Sequence, residues 1–93
     1  MKIYSISYAA YNANDNYLHS ENRVTADEEM ANRLYKEWKA NASADAKFDD
    51  EEPFDVFEEE RYLSEHTKQF ITKRHVGYED EYQATISLSV TEV

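Results

Sequence analysis

A chain of 93 residues with a net charge of -10, 41% hydrophobic and 14% aromatic content has enough apolar matter to fold, and its length predicts one domain over 1–93. With no cysteine, disulfides, thiolate metal sites and cysteine nucleophiles are excluded and a reducing, cytoplasmic setting is expected. So small a core leaves little room for a deep catalytic cleft, and no run approaches the length of a membrane span.

From Met1 to about Tyr11 the residues alternate, Tyr4, Ile6, Tyr8 and Ala10 on one face and Ser5, Ser7 and Ala9 on the other, the period of a strand with one buried side. The stretch is too short and too polar for a secretory segment. Asn12 to Asn16 is a turn cluster, and Tyr17 to Val24 reads as the returning strand, less apolar and suited to a sheet edge.

Thr25-Ala-Asp-Glu28 has the spacing of a capping box. It opens a predicted helix from about Ala26 to Asn41, with Met30, Leu34 and Trp38 at i, i+4 and i+8, flanked by Ala31 and Tyr35. Lys36 and Lys39 would complement the negative end of its dipole. Asn41 to Asp45 is expected to break it.

Residues 45–60 then form an acidic stretch: Asp45, Asp49, Asp50, Glu51, Glu52, Asp55, Glu58, Glu59 and Glu60 stand there with only Lys47 among them, and Phe48, Phe54, Val56 and Phe57 are interleaved. Pro53 suits the first turn of a second helix, with acids at its N-terminus. On a helical wheel Phe54, Phe57 and Arg61 share the inner face, and Glu51, Asp55, Glu58, Glu59 and Tyr62 the outer one. Glu60 falls between Val56 and Phe57, so a short irregular segment is the alternative.

Lys68 to Val76 reads as a strand with Phe70, Thr72 and Val76 on one face and Ile71, Lys73 and His75 on the other. Gly77, the single glycine, is expected to take a positive φ in a hairpin loop. Tyr82 to Val90 alternates most cleanly, with Tyr82, Ala84, Ile86, Leu88 and Val90 inward. The expected order is β-β-α-(α)-β-β, an α+β fold with an antiparallel sheet of about four strands and one or two helices on one face.

The charge is concentrated. Residues 44–65 hold ten acids and two bases, against six and five in 1–43 and four and three in 66–93. A globally acidic, halophile-like surface would spread this excess, so a localised cause is expected.

Catalytic signals are absent: His19, His66 and His75 have no local pairing, and no nucleophile elbow, phosphate loop or cofactor fingerprint can be built. No enzyme activity, cofactor or dedicated metal site is expected, since a calcium loop needs a glycine that residues 45–55 lack.

The sharper expectation is phosphate mimicry. Carboxylates on a helix rising about 1.5 Å per residue approach the charge spacing of a DNA duplex, about one per 1.7 Å. Asp49, Asp50, Glu51, Glu52, Asp55, Glu58, Glu59, Glu60 and Tyr62 are thus candidate partner-binding residues, directed at a basic nucleic-acid-binding protein rather than at nucleic acid or membrane. The alternative is an interaction module binding through a sheet face or edge, with the acids serving solubility.

In length, lack of cysteine, abundance of Asn and Tyr, and the runs Asp49-Asp-Glu-Glu52 and Glu58-Glu-Glu60, the chain resembles the small acidic phage-encoded anti-CRISPR and anti-restriction proteins. The resemblance is one of class, without a shared motif, and implies a non-enzymatic inhibitor acting in the host cytoplasm.

Overall fold

The computed structural model describes residues 1–13, 16–47, 54–77 and 79–93. Strands β1 (Lys2–Asn12) and β2 (Tyr17–Thr25), helix α1 (Glu28–Ala46), and strands β3 (Asp55–Ser64), β4 (Thr67–Val76) and β5 (Glu79–Glu92) follow one another along the chain. The strands make one antiparallel sheet in the order β2-β1-β5-β4-β3. Helix α1 covers one face of it, mainly over β5 and β1.

The expected alternation in β1 and β5 sets the helix-facing side. Tyr4, Ile6, Tyr8, Tyr82, Ala84, Ile86 and Leu88 are buried there against Ala31, Tyr35, Trp38, Ala42 and Ala46 of α1. The fully buried alanines of the helix let its backbone approach the large rings of the sheet, so big and small residues interlock. The opposite face carries Ser5, Ser7, Thr85, Ser87 and Ser89 in paired rows and has no second layer among the described residues.

Three expectations about α1 are corrected. The cap is Asp27, whose Oδ1 accepts from the Met30 amide at 3.1 Å. Thr25 is still paired with Tyr4 in the sheet, and its Oγ1 accepts from the Asp27 amide at 3.0 Å, so it cannot also close the capping box. The helix runs on through Asn41–Asp45 to Ala46, because Ala40, Ala42, Ala44 and Ala46 favour helix and Ala42 and Ala46 pack on the sheet. Its last turn consequently holds no base.

The acidic segment is the largest correction. Residues 55–64 form β3, giving five strands and one helix among the described residues. Ser64 pairs with Thr67, so the β3–β4 connection is a two-residue turn of Glu65 and His66. The His66 amide donates to Ser64 Oγ at 3.1 Å. No Gly, Pro or Asn marks this turn, which hid the hairpin from a reading by turn residues. Gly77 does take the expected positive φ, +63°. Pro53, placed by the sequence at a helix start, lies outside the described residues.

Candidate interaction edge

Among the described residues β3 pairs only with β4 and is therefore an edge of the sheet. Its period of two divides the acidic run between the faces. Glu58, Glu60 and Tyr62 stand opposite Thr72, Phe70 and Lys68 on the helix side, whereas Asp55, Glu59 and Arg61 stand opposite His75, Ile71 and Gln69 on the open side. The predicted outer stripe of Asp55, Glu58, Glu59 and Tyr62 is therefore not one face. Phe57, expected to pin a helix inward, is 52% exposed on the open side, and Tyr62 is 75% exposed. Asp49, Asp50, Glu51 and Glu52 lie outside the described residues.

Each of the three consecutive glutamates has a cation. Glu58 pairs with Lys47 at 3.2 Å and accepts from Thr72 Oγ1 at 3.1 Å. Glu59 pairs with Arg61 at 3.2 Å, and Glu60 with Lys39. The Lys39 ammonium also stands 5.3 Å from the rings of both Tyr35 and Phe70, and that of Lys68 stands 4.6 Å from Tyr35. Lys39, read from the sequence as a partner of the helix dipole, is instead a bridge from α1 to the edge strand. Exposed pairs of this kind contribute little stability, but they orient the carboxylates.

Burial alone pushes the Glu58 carboxyl up, yet hydrogen bonds with Ser43, Lys47 and Thr72 and the Lys47 charge outweigh it and hold the carboxyl below the ordinary 4.5. A depressed folded value gives a contribution that is present above about pH 4.5 and lost as pH falls through the folded value. Thermal melts between pH 6 and 3 should show this loss in the parent chain. Glu58→Gln should be less stable at pH 6 and decline less steeply on acidification.

Tertiary pairing also gathers acids that are distant in sequence. His75 opposes both Asp55 of β3 and Asp80 of β5, and its Nδ1 lies 3.1 Å from Asp80 Oδ1. Asp55, Glu79 and Asp80 thus occupy the same end of the sheet, and Lys47, paired with Glu58, lies near it. Counting charge by segment missed this, because 79–81 is separated from 55 by two strands.

At the same end a β-bulge leaves Glu81 as the extra residue between the Arg74–Tyr82 and His75–Asp80 pairs. Its carboxylate reaches Arg74 Nη2 at 3.4 Å. Arg74 is 3% exposed, and its Nη1 donates to the Asp45 carbonyl at 2.9 Å, tying the end of α1 to β4. No periodicity signalled this residue, since an arginine within a strand reads as solvent-facing.

The histidines are dispersed. His19 stands edge-on to Tyr8 with ring centroids 5.1 Å apart, His75 meets Asp80, and His66 borders a depression of about 210 Å³ with Lys2, Glu28 and Glu92. Among the described residues no group of three or more His, Asp or Glu is placed to hold a metal ion, and no helix is long and apolar enough to cross a membrane. Comparison with protein families, curated proteins and solved structures finds no match.

Proposed function

We propose that the chain is a non-enzymatic inhibitor that lays its β3 edge, with the adjoining acidic end, on a basic nucleic-acid-binding surface of a partner protein and occupies it in place of nucleic acid. The observation that supports this reading is the edge itself: Asp55, Glu58, Glu59 and Glu60 lie along one exposed strand. A strand rises about 3.4 Å per residue, and one DNA strand carries one phosphate per 3.4 Å of axis. Glu58, Glu59 and Glu60 on the extended edge therefore follow one another at about the phosphate spacing of a single polynucleotide strand, with alternate carboxylates on opposite faces, in place of the duplex-like spacing expected of a helix.

Lys47, Arg61 and Lys39 hold the carboxylates in fixed orientations, which reduces the ordering cost on binding. Partner arginines would substitute for these cations. The partner class that fits is a nucleic-acid-guided or restriction nuclease of a defence system, in keeping with the likeness to small acidic anti-defence proteins. Pairing of a partner strand onto β3 is a weaker reading, because charged side chains along an edge discourage strand addition.

The test is displacement of labelled DNA from such a nuclease, followed by fluorescence anisotropy at 50 and 200 mM salt. The parent chain should displace DNA, and more weakly at the higher salt. Combining Asp55→Asn with Glu58→Gln, Glu59→Gln and Glu60→Gln should weaken displacement by about a hundredfold and flatten its salt dependence. Equal displacement by parent and variant would reject the proposal.

A further inference from the structure

We infer that β2, the opposite edge of the sheet, is a self-association surface through which two copies of the chain join their sheets antiparallel about a two-fold axis at Asn22. Among the described residues β2 pairs only with β1, so its outer backbone groups can template another strand. Two large apolar side chains, Leu18 and Val24, are 75% and 64% exposed on its open face.

Charge and face restrict the occupant. Opposed residues in an antiparallel pair share a face, so a continuous sheet requires odd residues of β2 to meet odd residues and even to meet even. The odd set faces the helix side, since Glu21, Arg23 and Thr25 oppose Tyr8, Ile6 and Tyr4. A two-fold at Glu21 would set that carboxylate against its own copy, and one at Arg23 would oppose two guanidinium groups. A two-fold at Asn22 sets Glu21 against the partner's Arg23 and Arg23 against the partner's Glu21. It also brings Ser20 against the partner's Val24 and leaves Leu18 diagonal to it, within reach across the strands. Glu21 and Arg23 are both exposed, and the pairing extends the sheet to ten strands with both helices on one face. On the β3 edge a two-fold at Glu59 would set Glu58 against the partner's Glu60, a like-charge pairing that the β2 register avoids.

The assembly is isologous and closed, and it leaves both β3 edges free at its far ends. It therefore does not depend on the inhibitor reading.

Sedimentation equilibrium of the full chain tests it. The mass should rise from 11.0 kDa to twice that value over the micromolar range. Arg23→Glu and Glu21→Arg should each shift the dimer dissociation constant at least tenfold toward monomer, and the double exchange Glu21→Arg with Arg23→Glu should restore the dimer. Circular dichroism of each variant checks that it is folded, as expected for exposed positions. The chain has no cysteine, so single cysteines report the register: oxidation should link Asn22→Cys copies and leave Leu18→Cys copies unlinked. A parent chain still monomeric at 200 µM, a dimer indifferent to both single charge changes, or linkage through position 18 would each overturn the inference.

Discussion

Replacing Arg74 by methionine is expected to lower the melting temperature by roughly 15–30 °C, corresponding to about 3–5 kcal/mol. Methionine fills much of the same volume, so the loss is electrostatic more than steric. The guanidinium is 3% exposed between the Asp45 carbonyl at 2.9 Å and the Glu81 carboxylate at 3.4 Å, and stands 5.7 Å from the Tyr82 ring. Without it, the Glu81 carboxylate loses its contact with the guanidinium in a site where its side chain is only 14% exposed, and the Asp45 carbonyl at the end of α1 loses the hydrogen bond from Arg74 Nη1. Removing one member of a buried pair costs far more than removing both. Adding Glu81→Gln to Arg74→Met should accordingly recover part of the loss, measured as a coupling in a double-mutant cycle. If Arg74→Met melts within 3 °C of the parent, Arg74 is not the tether between helix and sheet.

Trp38→Ala should cost about 3–5 kcal/mol by a different mechanism, the loss of buried area together with the cavity left behind. Trp38 is 8% exposed and meets Tyr8 edge to face, with centroids 6.0 Å apart at 72°. Tyr8 in turn stands against His19 of β2, so the ring stack runs from the helix across β1 to the sheet edge. Native stabilities of small domains are about 5–15 kcal/mol, and a loss of this size leaves a substantial unfolded population on warming. Trp38→Phe keeps an aromatic partner for Tyr8 and should lose less than half as much. Urea unfolding followed by circular dichroism measures both variants, since the single tryptophan cannot serve as probe once replaced.

These two side chains differ in how visible they were in the sequence. Trp38 belongs to the i, i+4, i+8 series that predicts α1, and Ala31 and Tyr35 beside it are buried as that series implies. Met30 and Leu34, members of the same reading, are only partly buried, because the helix turns its Ala31–Tyr35–Trp38–Ala42–Ala46 stripe to the sheet. Arg74 carried no signal, since burying it requires Asp45 and Glu81 to arrive from α1 and β5.

Local periodicity by itself determined β1, β4 and β5, the faces of their residues and the helix between them, because alternation at two and recurrence near 3.6 follow from backbone geometry alone. It likewise determined the positive φ of Gly77, and composition located the excess charge in residues 44–65. Only the tertiary structure decided that Asp55–Ser64 is an edge strand. Val56, Phe57 and Tyr62 suit a strand as well as a helix face, and three consecutive glutamates are tolerated on either where both sides can reach water or a lysine. Pairing with β4 settled the choice, and with it which carboxylates Lys39 and Lys47 neutralise, which acids gather beside Asp55, and that Leu18 and Val24 of the other edge look away from the helix. Each is a contact between segments far apart in the chain, whose energy depends on a neighbour that no local pattern specifies.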